Sequence, residues 1–252
     1  MISRNKIKYI QSLHRKKERD NECIFLVEGD KSVKEALQSS FTVRTLCATS
    51  NFIAENNLSA LKTIEIIEVN DEELKKISTL QNPQHALAIV EMPAIDLNFE
   101  DLETNITLAL DGIQDPGNLG TIIRTADWFG IENIYCSVDT ADCFNPKVIQ
   151  ASMGALFRVK VHYLELIKLL EVASEKKLPS YGTFLEGENI YESSISKQAA
   201  ILVMGNEGNG ISAEVADAVS NKIHIPNYAN SGSESLNVAI ATAICLAEFR
   251  RV

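Results

Sequence analysis

The order of apolar runs predicts an α/β protein of two domains, the second built on a mostly parallel sheet. Three observations carry this. Short strand-like runs alternate with helical spacings along the whole chain. An acidic stretch without clear period, EMPAIDLNFEDLETN at 91–105, divides that alternation in two. The 252 residues, 45% hydrophobic and 23% charged, have a globular composition and the length of one large or two ordinary domains. The first domain is therefore placed at 1–92, a linker at 93–105 and the second domain at 106–252.

Each element follows from local pattern. In the first domain residues 24–27 form a short apolar run ending at Gly29-Asp30, where Asp30 can N-cap a helix carrying Val33, Ala36 and Leu37. Residues 42–48 read as a strand and residues 63–69 alternate. Asn70 can cap the next helix, and 86–90 is a last strand. In the second domain strands are predicted at 106–110, 133–138, 157–162, 179–185, 200–204 and 222–225. Helices fall between them, and 235–251 is a long, largely apolar final helix. Such alternation implies a parallel sheet covered on both faces, with ligands at the C-terminal ends of its strands.

Composition excludes several classes. No stretch approaches the length of a membrane span. The N-terminus MISRNKIKYIQSLHRKKERD is basic without an apolar core, so secretion is not expected. Five scattered cysteines without CxxC spacing argue against a disulfide framework and a zinc knuckle, and for a reducing, cytoplasmic location. His14, His85, His162 and His224 make no ligand spacing with them, so no metal is expected. The net charge of −10 argues against a polyanionic partner until it is divided. Residues 1–92 are neutral and residues 93–252 carry all of it. Residues 1–19 hold seven basic side chains and one acid, Glu18. Arg15, Lys16, Lys17 and Arg19 are the expected phosphate contacts of an RNA partner. A solvated surface helix is the simpler reading of the same charges.

Three loops, each just after a predicted strand, carry the chemistry. The first runs from Asp111 to Arg124 through a Pro-Gly turn. Asn118 is expected to cap the following helix, and Arg124 projects between its apolar positions. An arginine there is either a surface residue or a planar fork for a phosphate. The second, Leu202 to Ile211, has three glycines in six residues, which let backbone approach a ligand closely. It is neither GxGxxG nor a P-loop, and Glu207 suits hydroxyls or a cation rather than a phosphate. The third, Ile225 to Val238, is a polar loop entering an apolar helix. Ser235 is the expected cap, and Asn237 needs partners that capping by Ser235 does not supply.

Together the three segments resemble the three motifs of the SpoU (TrmH-type) RNA ribose methyltransferases of the SPOUT superfamily. The matching parts are the N-x5-R of Asn118 and Arg124, the GNEGxG of 205–210 and the IP…SLNV of 225–238. Ala151-Ser-Met-Gly-Ala155 is similar to a further family segment. Phe25-Leu-Val-Glu-Gly29 and Gln81-Asn-Pro-Gln84 resemble the family's substrate-binding domain, so the likeness covers nearly the whole chain. His85 and Asn227-Tyr228-Ala229 depart from the pattern, the first bearing on RNA contacts and the second on the cofactor loop.

The resemblance implies a knotted fold, S-adenosylmethionine as cofactor, and a homodimer. It implies RNA 2'-O-ribose methyl transfer, with Arg124 central and Asn118, Glu207, Ser235 and Asn237 shaping the catalytic site. Gly205, Asn206, Ile225 and Leu236 match cofactor-holding positions, and Thr183, ending its strand, is a further wall. The full N-terminal domain and an end two residues past Arg250 look like ribosomal-RNA members, favouring large-subunit rRNA. The alternatives are a tRNA ribose methyltransferase, a non-catalytic RNA binder that kept the fold, and a transferase using another nucleotide cofactor.

Overall fold

The computed structural model describes residues 2–58, 63–94, 97, 99–229 and 235–251. They fall into two compact units, Met1–Ala94 with Asp142–Phe157, and Ile95–Ala141 with Arg158–Val252. In chain order the first part contains α1 (Arg4–Ser12), α2 (Lys16–Glu22), β1 (Ile24–Glu28), α3 (Asp30–Gln38), β2 (Val43–Ala48), α4 (Ser50–Glu55), β3 (Glu65–Glu68), α5 (Asp71–Ile77) and β4 (Ala86–Glu91). Then come β5 (Ile106–Leu110), α6 (Pro116–Trp128), β6 (Asn133–Cys136), α7 (Pro146–Ser152), β7 (Lys160–Tyr163), α8 (Leu166–Glu175), β8 (Ser180–Asn189), β9 (Ala200–Met204), α9 (Ala213–Ala218), β10 (Asn221–His224) and α10 (Val238–Phe249).

The first unit has a four-stranded sheet in the order β1-β4-β2-β3, antiparallel except for β2 with β3. Period-two alternation sends Ile24 and Leu26 into one core with Ile10, Leu13, Leu74, Ile77, Leu87 and Ile89. Asn70 caps α5 as expected, in a full capping box with Glu73. Asp30 is not a cap: Gly29, at φ 89°, takes that position and Asp30 begins the helix.

The opposite face of β1 is covered in part from far along the chain. Phe25 packs on Phe144 with ring centroids 4.7 Å apart and on Phe157 at 6.5 Å, while Phe41 meets Phe157 edge-on at 5.1 Å. Residues Asp142–Phe157, which the sequence pattern places inside 106–252, thus pack with the first unit. This is also why residue 157 does not begin a strand. Ala155–Phe157 is a 3-10 turn delivering Phe157 to the aromatic cluster, and β7 starts at Lys160. Gly154 makes the turn possible at φ 90°, and a Cβ there would meet Glu35 Cγ at 2.8 Å.

Arg19 departs most from its expected role. It is 1% exposed and not a phosphate contact. Its guanidinium donates to the carbonyls of Leu13 and His14 at 3.1 and 3.0 Å and to the Asp142 carboxylate at 2.5 Å. A planar fork reaching two carbonyls and a carboxylate ties the α1–α2 corner to the 142–157 segment.

The second unit has a six-stranded sheet, all parallel, in the order β10-β8-β9-β5-β6-β7. β5, β6 and β9 are buried throughout, matching their continuous apolar runs. β8 runs on to Asn189, beyond the predicted 185, and its register against β10 jumps between Lys222 and Ile223. Gly187 permits that close approach, since a Cβ there would sit 2.7 Å from the Lys222 carbonyl. α6 and α10 lie side by side and parallel. Asn237 reaches Asn118 at their N-terminal ends, and Arg250 donates to the Phe129 and Gly130 carbonyls at their C-terminal ends. No helix among the described residues is long and apolar enough to cross a membrane.

Removing one partner of a buried ion pair leaves an uncompensated charge. Asp142→Ala should therefore lower the unfolding free energy by roughly 3–5 kcal/mol, read from urea melts. Replacing both partners by apolar residues, Arg19→Met with Asp142→Leu, should recover most of the loss. A single-variant effect under about 1 kcal/mol would show instead that the pair behaves as an exposed one.

Candidate active site at the meeting of three loops

β5 ends at Leu110 and the chain turns at Gly112, with φ +70°. The Gly112 peptide is held on both sides: its N–H donates to Ser137 Oγ at 2.8 Å, and its carbonyl accepts from Asn206 Nδ2 at 2.6 Å. The cap of α6 is Asp115 rather than Asn118, because Pro116 takes the first helical position, where its fixed φ and missing N–H cost nothing. Asp115 accepts the Asn118 N–H at 2.8 Å. The Asn118 side chain is thereby turned toward the other two loops. Its Nδ2 donates to the Glu207 carboxylate at 3.0 Å, and its Oδ1 accepts from Asn237 Nδ2 at 2.9 Å.

The glycine-rich loop is a tight reversal. Asn206 and Gly210 exchange backbone hydrogen bonds of 2.9 and 3.0 Å, and Asn206 Oδ1 accepts the N–H groups of Gly208 and Asn209. Gly205 is required by the loop itself. A Cβ there would lie 2.2 Å from the Ile211 nitrogen, so the space beside it belongs to backbone and not to a ligand. Glu207 accepts from the Gln114 and Asp115 N–H groups, both at 3.3 Å, as well as from Asn118. Burial alone would raise its pKa, but the donors from Asn118, from its own backbone N–H and from Gln114 and Asp115 outweigh that and hold it below the ordinary value.

The third loop reaches the site at Ser235. Asn237, not Ser235, caps α10, accepting the Ala239 and Ile240 N–H groups at 3.0 and 3.3 Å. Its Oδ1 caps while its Nδ2 reaches Asn118, which supplies the partners its sequence position demands. Residues 230–234 of this loop lie outside the described residues.

The three loops enclose a cleft of about 540 Å³ lined by Asn118, Asn206, Glu207, Ser235, Leu236 and Asn237, together with Gln114, Asp115 and Val238. Six of the ten predicted site residues thus share one cavity. Arg124, Thr183, Gly205 and Ile225 are not in its lining. Arg124 is exposed, six residues further along α6 than Asn118 and about 9 Å along its axis. Thr183 Oγ1 donates to the Val203 carbonyl at 3.2 Å, a bond between neighbouring strands. Sequence reasoning misses Gln114 and Asp115, although an Asp-Pro pair opening an apolar period is a helix-start signal. No group of three or more His, Cys, Asp or Glu among the described residues could hold a metal.

Residues 105–247 match the SpoU rRNA Methylase family. The chain belongs to that family. Residues 4–88 match the MRM3-like substrate binding domain. The 23S rRNA (guanosine(2553)-2'-O)-methyltransferase RlmP of Bacillus subtilis is 32% identical over 246 residues, 97% of this chain and 96% of that protein. A TrmH-family structure from Porphyromonas gingivalis superposes with a TM-score of 0.88 at 43% identity, covering 100% of this chain and 99% of the other. The SpoU methyltransferase AviRb of Streptomyces viridochromogenes, solved with S-adenosylmethionine, gives 0.85 at 27% identity over 99% and 98% of the two chains. The cofactor of this SpoU chain is S-adenosylmethionine, and the cleft's chemistry fits it. Its volume is that of a small-molecule site. Glu207 and Asp115 offer negative charge toward a sulfonium and an ammonium, and Leu236 and Val238 offer an apolar wall.

Asn118→Ala removes the one side chain joining all three loops. A hydrogen bond to a charged group is worth roughly 1.5–3 kcal/mol, so methyl transfer should fall about ten- to hundredfold. With a donor gone and burial unchanged, the Glu207 pKa should rise. Carboxyl chemical shifts across a pH titration would register that rise, and an unmoved Glu207 would show that Asn118 does not hold it.

Proposed function

We propose that this SpoU protein methylates the ribose 2'-hydroxyl of a guanosine in large-subunit ribosomal RNA, as a cytoplasmic homodimer with the knotted topology of its family. Residues 1–92 engage the RNA and residues 106–252 carry the transfer. The observation that carries the reading is the Asn118 bridge to Glu207 and Asn237, which brings the three motif loops to one cleft. A non-catalytic binder has no need of that linkage, and a tRNA enzyme does not account for the RlmP likeness running through 97% of the chain.

When bound, S-adenosylmethionine supplies a methyl group on a positively charged sulfur. The protein must orient the hydroxyl and help it lose its proton. Glu207, its oxygens engaged by three donors, fixes Asn118 and the first loop rather than taking a proton. Among the described residues no carboxylate pairs with Arg124, so its guanidinium is available to a phosphate and a forming oxyanion. Guanidinium groups do not give up a proton in proteins, which leaves a phosphate oxygen or water to accept the hydroxyl proton.

RNA engagement is supported by a basic ridge on the first unit. Lys8 and Gln11 are exposed on α1 and Arg15 is exposed at the cap of α2, and Gln11 donates to the Lys76 carbonyl at 2.6 Å. With the contact of His14 Nε2 and the Ile77 carbonyl at 3.2 Å, it joins the α1–α2 corner to the end of α5, whose last turn carries the exposed Lys75 and Lys76, while Lys16 and Lys17 are exposed in the first turn of α2. Pairing of two copies is supported by large apolar side chains left exposed on α6 and α10: Trp128 and Ile240. The cytoplasmic reading is supported by five free cysteines, four of them buried.

Arg124→Ala should keep cofactor affinity, since Arg124 is outside the cleft lining, while methyl transfer falls on the order of a hundred- to a thousandfold. Arg124→Lys should rescue poorly, because an ammonium lacks the two-pronged geometry. Single-turnover rates on an rRNA fragment check both, and near-normal turnover in the alanine variant removes Arg124 from the mechanism.

Reversing Lys16, Lys17, Lys75 and Lys76 to Glu should weaken RNA binding and flatten its log–log salt dependence by roughly 0.7–0.9 for each phosphate that is no longer neutralised. Cofactor binding should be untouched. An unchanged slope would return these residues to ordinary surface charge.

A further inference from the structure

The buried carboxylate nearest the glycine-rich loop belongs to Asp111, which no step above uses. It is 8% exposed, at the end of β5. Its backbone N–H donates to the Met204 carbonyl at 2.9 Å, where the loop leaves β9. Its carboxylate accepts the Ser212 N–H at 2.7 Å, where the loop enters α9. One residue therefore spans the mouth of the loop, and the next, Gly112, holds Asn206 inside it. Behind Gly112, Ser137 Oγ accepts its N–H and donates to Asp139 Oδ1 at 2.5 Å, so the turn is backed by the end of β6.

We infer that Asp111 is a positioning residue for S-adenosylmethionine: by pinning both ends of the 204–212 loop to β5, it holds Asn206 and Glu207 at the cleft. Ser212 is the N-cap of α9, and the Asp111 carboxylate is the acceptor of its N–H. A loop with glycines at 205, 208 and 210 has little intrinsic preference for the bound geometry. Fixing its ends removes an ordering cost that cofactor binding would otherwise bear.

The inference rests on the reading that this cleft takes S-adenosylmethionine, and the experiment separates the two. Affinity is measured by calorimetry on the full chain, with circular dichroism to confirm folding. Asp111→Ala should raise the Kd by roughly tenfold or more, the effect of one charge-assisted hydrogen bond. The KM for cofactor should rise with it, while kcat at saturating cofactor changes far less. Asp111→Asn keeps an oxygen acceptor and should return to within about threefold of the parent. Should Asp111→Ala fail to fold, Ser212→Pro breaks the same bond from the donor side: the Ser212 φ of −60° is already that of proline, and the ring carbon that replaces the N–H presses on the Asp111 carboxylate. It should raise the Kd as Asp111→Ala would. A folded Asp111→Ala or Ser212→Pro with parental Kd overturns the inference, as does an Asn variant as weak as Ala. Leu236→Asp tests the site itself: if it binds normally the placement of the cofactor is wrong, whereas lost binding there with parental binding in Asp111→Ala sinks only the role of Asp111.

Discussion

One primary amide holds the site together. Asn118 faces Glu207 with its nitrogen and Asn237 with its oxygen, so a single side chain ties the loops after β5 and β9 to the start of α10. An amide can do this because it carries a donor and an acceptor at opposite corners of one plane, which neither a carboxylate nor an ammonium offers. The arrangement has a prerequisite. Asn118 can face outward only because Asp115 and Pro116 already start the helix. Asn237 can reach it because that residue caps with one end of its amide and bridges with the other.

The parallel sheet is readable in the sequence because its strands are continuous apolar runs bounded by turns. β5 and β9 have the predicted limits. Misreadings cluster where two residues compete for one local role. Asp115 and Asn118 both suit a helix N-cap, as do Ser235 and Asn237, and propensity alone does not rank them. Proline after Asp115 settles the first case and the partner across the cleft settles the second. β8 runs long because a glycine allows an approach that its composition does not advertise.

The candidate site is legible as a set of residues and less so as a geometry. Asn118, Asn206, Glu207, Ser235, Leu236 and Asn237 do converge. Gly205 reads in the sequence as room for a ligand, yet that room is filled by the loop's own backbone. Arg19 reads as a surface cation because charge patterning sees sequence neighbours. Its real partner, Asp142, is more than a hundred residues away, and no local pattern carries that information.

The excursion Asp142–Phe157 bears on how such proteins can be recombined. The chain leaves the first unit after Ala94, returns to it at Asp142 and leaves again after Phe157. Phe25 and Arg19 therefore complete their surroundings only with residues made after two strands of the second unit. During synthesis the first ninety residues must wait with Phe25 met by Phe41 but not yet by Phe144 and Phe157. In evolution, a swap at the acidic linker alone would separate Phe25 from Phe144 and Phe157, and Arg19 from Asp142. The two units are separable as architecture and not as heredity, and a workable exchange has to move the 142–157 segment with the residues it covers.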